Sequence, residues 1–504
     1  GPRLRAAAVV LVRAMVALSC GSSSDDADRG SAAAGGTDPA QADDAAQTDA
    51  SGAPSEVEVI EEPEVADPSD EFVALSLEAK IDAFLADPNS NKGALVAQAM
   101  GESGDPRYGA WLLDLYRLGR STRIDSAAAQ AFAELSGIET VGQRTDDYRN
   151  YGNWVYNGGV DPGQGYRDWK LGVYGSIDEE FSTLLARTPD DIVLSQIQWG
   201  GVTRGGIPEL NQPARVAAST ADWMTEDELV LGVVIEGQAV AYPIRILGHH
   251  ELANDEIAGI PVSMVYCTLC RSGLLFDRRI EGEVLDFQTS GLLIESNKIM
   301  VDRQTDTLWR HQTGIGLAGP LEGAELAQFP VLTTSWSEWI AEHPDSEVLD
   351  IPDPIFPDAA TSPEQPAIAY SYEAGEAYRF YYEDPDVWFP VFDTPEIFDL
   401  KESVLGITDG TAELAVGVDA LVEAGPQVFE VGELTVAAVP TSSGALVYDL
   451  AGSDRRGGSL DDVVEAGSER LRLDDGSTWD RVAVSQLFWF AWFGQHPSTD
   501  WWPQ

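Results

Sequence analysis

Four residues recur at one spacing late in the chain: Trp336, Trp339, His343 and Pro344 are matched by Trp489, Trp492, His496 and Pro497. A repeat of this kind constrains the fold more than any single motif, because the second stretch must accept the framework of the first. Other segments follow suit. Val230-Leu231-Gly232-Val233 returns as Val404-Leu405-Gly406-Ile407, Leu274-Leu275-Phe276-Asp277 as Leu446-Val447-Tyr448-Asp449, and Leu308-Trp309 as Thr478-Trp479. Two copies, at roughly 228–349 and 402–504, are too few and too long for a solenoid and imply duplicated subdomains.

The pattern inside the first copy is β-rich. Residues 229–234, 239–244, 261–266, 274–276 and 284–287 are apolar or alternating, and turn pairs such as Glu236-Gly237 and Glu281-Gly282 separate them. Residues 333–342 read as a helix. Before the repeat, Phe72, Leu75, Leu77, Ile81, Phe84 and Leu85 give a 3.6-residue stripe. Gly104-Asp105-Pro106-Arg107 then opens a helix over 108–118, and another follows over 126–135, as in a HEAT-like helical pair. Residues 146–175, rich in Tyr, Trp and Gly, read as loops with short strands. The fold class expected is therefore α+β, with duplicated β-rich subdomains behind a small helical segment.

Asp and Glu number 84 against 31 Lys and Arg, a formal net charge of -53. A surface so acidic repels phosphate backbones, which argues against a nucleic-acid partner. Arg3 and Arg5 precede a short apolar run from Ala6 to Leu18, below the ~20 residues needed to span a bilayer. That reads as an export signal, and Ala17-Leu18-Ser19-Cys20-Gly21 resembles a lipobox, with Cys20 as the lipidated residue. Residues 22–70 hold almost no aromatics and read as a disordered acidic tether. The expected setting is a cell-envelope lipoprotein, periplasmic or on the outer surface, whose membrane contact is the anchor at Cys20. The domain reading is an export segment 1–20, a tether 21–70, a helical segment 71–142 and a first β-rich repeat 143–349 holding the cysteine site. An aromatic-rich linker 350–400 and a degenerate second repeat 401–504 complete it.

Reactive side chains are scarce: three cysteines and five histidines in 504 residues. Two of each fall between Tyr242 and Trp309, and a third histidine, His311, lies just beyond. Tyr266-Cys267-Thr268-Leu269-Cys270 fixes two thiols on one turn, close enough to bind one metal ion or to form a disulfide. As a metal site, Cys267 and Cys270 supply soft ligands and His250 a third, with Asp255 or His311 as a fourth; thiolates favour copper before zinc. As a redox dithiol, Cys267 attacks and Cys270 resolves, although the helix N-terminus that usually activates such a motif is missing. A structural disulfide is the third reading, weakened by the tiny loop it would close. Asn254-Asp255 is equally an Asx turn. The second copy has no cysteine here and nothing matching His250, so any site belongs to the first copy. No Ser stands in a nucleophile elbow, and Gly314–Gly319, although it spells G-x-G-x-x-G, is followed by Pro320 rather than a helix.

With these residues in hand the chain resembles the DUF3179 family, many of whose members are exported. The motifs are Trp199-Gly200-Gly201-Val202, Gly206-Ile207-Pro208, Ala241-Tyr242-Pro243, His250-Glu251, Asn254-Asp255 and the Cys-x-x-Cys segment. They continue through Ser290-Gly291, Asp302-Arg303, Leu308-Trp309, Lys401-Glu402 and Phe488 to Pro497. The resemblance spans about 190–504. Family members usually have Pro where this chain has Thr268, and often Gln where it has His311. It implies a domain assignment and supplies no reaction.

The functional expectation is an extracytoplasmic transition-metal protein using Cys267, Cys270 and His250. A thiol–disulfide oxidoreductase on the same cysteines is the alternative. A non-catalytic binding module, holding a partner through the aromatic linker and the helical pair, is the third class.

Overall fold

The computed structural model describes residues 70–119, 121–352, 372–373 and 377–503. The expected export segment, Cys20 and the tether lie outside the described residues, as does most of the first half of the linker. Among the described residues no helix is long and apolar enough to cross a membrane.

Helices run from Leu77–Leu85 to Asp191–Gln196. The expected helices at 108–118 and 126–135 are present as Tyr108–Leu118 and Thr122–Ser136. The latter starts on Ser121, whose side chain accepts from the Ile124 N–H, and stops at the left-handed Gly137. The helical region is longer than the sequence reading had it. Residues expected to be loops form Arg144–Gly158 and Tyr166–Gly175. Their Tyr and Trp are stripes: Tyr148, Gly152 and Tyr156, with Tyr151 beside them, and then Tyr166, Trp169 and Val173 are buried at three- and four-residue steps. Gly152 is a contact glycine, since a Cβ there would meet Pro390 at 2.0 Å. Tertiary packing overrides the poor helix propensity of Gly and Tyr here.

The helices dock on the β region through polar anchors. Arg117 Nε donates to the Trp199 carbonyl at 2.7 Å, and the Tyr148 hydroxyl donates to Gln198 at 2.7 Å. Behind the helices the chain mixes strand and helix in several small sheets, six of which stand in a propeller-like ring, with a two-stranded ribbon besides.

Sheet order repeats between the two halves. In the first, Leu229–Ile235 lies between Leu332–Ser335 and Gln238–Pro243, and Glu347–Leu349 adds in parallel to the last. In the second, Ser403–Thr408 lies between Ser485–Phe488 and Glu413–Gly417, and Asp500–Trp502 adds in parallel. The recurring tryptophans explain why this framework tolerates no side chain at two glycines. Trp339 packs on Gly232 and Trp492 on Gly406, where a Cβ would come within 2.2 and 2.1 Å of the indoles. Each indole N–H is satisfied in the same way, Trp339 by Ser346 at 3.0 Å and Trp492 by Thr499 at 2.9 Å. His343 and His496 end the two equivalent helices against these rings. The helix expected over 333–342 begins at Trp336, because Leu332–Ser335 pairs as a strand.

Next in each half comes a three-strand meander: Leu252–Ile257, Ile260–Cys267 and Ser272–Asp277, then Gln427–Val431, Leu434–Pro440 and Ala445–Asp449. The tips of their second hairpins have one length, Cys267 facing Ser272 and Pro440 facing Ala445. Each tip touches the other half. Phe488 N–H donates to the Cys270 carbonyl at 3.0 Å, and Ser442 donates to Glu338 at 2.6 Å.

Candidate active site at the cysteine hairpin

Strand pairing aims the Cys-x-x-Cys segment. Residues 260–267 run through the core with every residue from Val262 onward buried, so the turn that follows is delivered beneath the surface. Arg271 closes the turn at φ 52°, a left-handed backbone that non-glycine residues adopt at a cost. Cys267 and Cys270 are joined as a disulfide with their Cα atoms 5.4 Å apart. They are 2% and 0% exposed, so an external reagent cannot reach either sulfur without local opening.

The two sulfurs have different neighbours. The Cys270 N–H points at Cys267 Sγ, 3.4 Å away. Cys270 Sγ lies 3.0 Å from Asn297 Oδ1, and Asn297 is held in that orientation by donating from Nδ2 to the Glu295 carbonyl at 3.0 Å.

Below the tip lies a buried ion pair, Glu251 with Lys298. Thr268 Oγ1 donates to the other carboxylate oxygen of Glu251 at 3.1 Å. Glu251 caps the helix Ile244–His250 at φ 62°, its N–H on the Leu247 carbonyl. A glycine would hold that backbone without strain; a glutamate there is placed for its side chain. Burial holds the Lys298 ammonium below its usual range despite the pull of Glu251. His311 is fully buried, with Nε2 2.8 Å from Ser272 Oγ and Nδ1 without a hydrogen-bond partner among the described residues. Burial and the nearby Lys298 push its pKa to about 3, so the ring is neutral. Glu295, in the next turn, is pushed up to about 7 by burial against the opposing pull of Arg310, and Gln495 of the second half donates to it.

An aromatic layer closes the top. The Tyr382 hydroxyl lies 3.1 Å from that of Tyr266, and its ring packs edge-on to Phe488 at 5.7 Å. The Arg271 guanidinium sits over the Tyr382 ring at 5.1 Å.

The expected metal ligands are not gathered. His250 is buried, but its Nδ1 is on the Pro208 carbonyl at 2.8 Å and its Nε2 on the Tyr372 hydroxyl at 2.5 Å. Asp255, the candidate fourth ligand, is engaged elsewhere: its carboxylate accepts from the Tyr242 hydroxyl at 2.7 Å and faces Arg215 at 3.4 Å. Asn254 bonds Phe287 through both its amide oxygen and nitrogen, a bracket between sheets. His311 meets Ser272 instead of a thiol. Among the described residues no three His, Cys, Asp or Glu side chains are grouped to hold a metal ion. Strand register separates Asp255 from the thiols: it pairs with Val262, five residues short of Cys267 on the neighbouring strand, and His250 ends a helix with its ring taken up by Pro208 and Tyr372.

One family matches the chain, described as a protein of unknown function, DUF3179, over residues 204–499. The chain belongs to the DUF3179 family. No curated protein and no solved structure matches it. The DUF3179 match takes in the cysteine hairpin, the ion pair beneath it and the aromatic layer above. Lys298 and Asn297 went unseen in the sequence because nothing local distinguishes them. The turn before them shows why: Glu295 and Ser296 are left-handed at φ 53° and 57° in a two-residue hairpin turn, yet lack the Asn-Gly sequence that would have marked it.

Proposed function

We propose that Cys267 and Cys270 form a thiol–disulfide redox centre in which Cys267 is the attacking sulfur and Cys270 the resolving one. The observation that carries this reading is the unequal surroundings of the two sulfurs. A thiolate at Cys267 accepts the Cys270 N–H, and a hydrogen bond to the charged form lowers a pKa. A thiol at Cys270 finds an acceptor in Asn297 Oδ1, which favours the protonated form.

In the reduced protein the Cys267 thiolate attacks one sulfur of a substrate disulfide. The substrate S–S bond breaks, its second sulfur leaves with the electron pair and takes a proton, and a mixed disulfide remains on Cys267. Cys270 then loses its proton and attacks Cys267 Sγ, expelling the first substrate sulfur as a thiolate. The substrate gains two electrons and the pair is oxidised to the bridge; a dithiol reductant, small molecule or protein, returns it to the starting state. The export reading of residues 1–20, with a lipid anchor at Cys20, agrees with a bridge that persists outside the reducing cytosol. We read the two halves as a duplication in which the first kept the redox tip and the second became scaffold.

Titration of the full chain in dithiol buffers, with thiols trapped by alkylation and counted by mass, is the test. A reversible midpoint is expected, with a mixed disulfide on Cys267 accumulating in Cys270→Ser and none on Cys270 in Cys267→Ser. A pair that stays oxidised throughout, or equal trapping at both sulfurs, overturns the reading. Stoichiometric Cu(I) held by the reduced pair without any disulfide exchange favours the metal-binding alternative instead.

A further inference from the structure

The cysteine pair is buried, so a redox reaction there needs a gate. We propose that Lys401 is that gate's latch, a positioning residue whose ammonium pins an aromatic strap over the cysteine tip. This rests on the redox reading of Cys267 and Cys270.

The strap is the helix Arg379–Glu383 with the turn after it. Tyr382 reaches down, meeting Tyr266 and lying under Arg271. Beside it Tyr381 is fully buried against Trp388, ring centroids 4.7 Å apart. The strap thus covers residues on both sides of the bridge and the turn that closes it.

Lys401 holds it from behind. Its Nζ donates to the carbonyls of Tyr381 at 2.6 Å, Asp384 at 2.8 Å and Asp386 at 2.5 Å, and stands over the Tyr381 ring at 3.4 Å. An ammonium has three donors, and all three go to the backbone of this one segment. Two of those carbonyls belong to the strap helix end or the residue just beyond it, where partners are lacking and a cation is favoured. The root of the latch is firm. The neighbouring Leu400 and Glu402 carbonyls accept the N–H groups of Phe490 at 3.0 Å and Trp489 at 2.9 Å, the segment that also supplies Phe488 to Cys270. Arg149, from the helical region, adds a second hold through the Val387 carbonyl at 3.1 Å and Asp386 at 3.4 Å. The strap therefore opens only when a charged group gives up its carbonyls, and the bridge becomes reachable at that moment.

The experiment measures native-state reduction of the bridge in the full chain by excess dithiothreitol, with alkylation and mass readout. Lys401→Met is expected to accelerate it by about tenfold or more, since hydrogen bonds from charged donors are among the stronger ones. Lys401→Arg is expected to stay nearer the native rate. The midpoint potential should not move in either variant, because the latch is made in both redox states; a merely destabilised protein would not separate rate from potential in this way. The native protein gives a check that needs no variant. Gated reduction saturates with reductant at the rate at which the Tyr381 and Tyr382 amides open to hydrogen exchange. An unsaturating rate, or Lys401→Met reducing at the native rate with native strap exchange, overturns the latch and leaves the redox reading standing. A bridge that no reductant opens overturns the redox reading, and strap exchange in Lys401→Met still decides whether the lysine is a latch.

Discussion

Two hairpin tips of equal length teach what the shared framework does and does not require. One carries Cys267-Thr268-Leu269-Cys270-Arg271, the other Thr441-Ser442-Ser443-Gly444 after Pro440. The second tip closes with a backbone bond from Thr441 N–H to the Gly444 carbonyl at 2.9 Å and needs no bridge. The helix before each meander makes the same point. In the second half its cap is Gly425, at φ 75° and ψ -166°, a backbone open to glycine and different from that of Glu251, with its N–H on Leu421. In the first half it is Glu251, and a strained backbone is accepted so that a carboxylate can meet Lys298 under the cysteines. The second half has a glycine at the cap and a tip without cysteines. A polar chamber beneath a hairpin tip is thus not a requirement of the framework.

The largest way to break that comparison is to unpair the chamber. Glu251→Gln leaves the buried Lys298 ammonium without its counter-charge, and we expect a loss of about 3–5 kcal/mol, the usual cost of removing one member of a buried pair. Guanidinium unfolding of this variant beside Glu251→Gln/Lys298→Met checks it. The double variant should regain much of the loss, since no orphan charge remains. Equal stability of native protein and Glu251→Gln would mean that the ion pair is solvated and the chamber is not one.

A smaller effect is expected from acid. The His311 pKa of about 3 lies below the ordinary value of ~6.5, because burial and Lys298 disfavour the charged ring. The unfolded chain therefore binds a proton that the folded chain refuses. Stability is untouched above about pH 6.5 and falls as the pH drops toward 3, by about 2 kcal/mol at pH 5. His311→Gln, which does not titrate, should remove that part of the loss while leaving stability at pH 7.5 nearly unchanged. Urea unfolding at both pH values measures it, and parallel losses in the variant and the native protein would refute the assignment.

The sequence disclosed the framework better than the chamber, and the reasons are physical. Strands alternate and tryptophans repeat, so the Gly232–Trp339 and Gly406–Trp492 contacts leave marks at fixed spacing. The cysteines stand out by rarity. His250 misled because a histidine near two thiols in sequence looks like a ligand, yet its rotamer is set by Pro208 and Tyr372, which are distant in sequence. Lys298, Asn297 and Lys401 act through contacts that only folding brings about, and each is an ordinary polar residue in its own segment. The helices over 144–175 were hidden for a related reason: Tyr and Gly are weak helix formers, and the packing that overrides them comes from elsewhere in the chain.

The smallest effect is expected from the bridge itself, and it discriminates most. Cys267→Ser/Cys270→Ser opens a loop of four residues, for which chain-entropy arguments give about 2 kcal/mol or less. The second tip, which folds without a bridge, suggests that the framework can absorb the change. If the bridge were a structural staple, its loss would rival that of Glu251→Gln and loosen the docking of Phe488 on the Cys270 carbonyl. If it serves chemistry, thermal unfolding should shift little and disulfide exchange should vanish. Grafting the pair into the other half, Pro440→Cys/Ser443→Cys, sharpens the contrast. The tip there is bounded by Gln486, which donates to the Ser443 carbonyl at 2.8 Å, and by Glu338 on Ser442. A bridge can form on a tip of that length, but the strained cap and the ion pair are replaced by glycine. We expect such a graft to distinguish its two sulfurs less than the native pair does, because the N–H of its second cysteine belongs to the tip while Asn297 does not. A graft that distinguishes them as the native pair does would show that the hairpin alone creates the asymmetry, and Asn297 would lose its role.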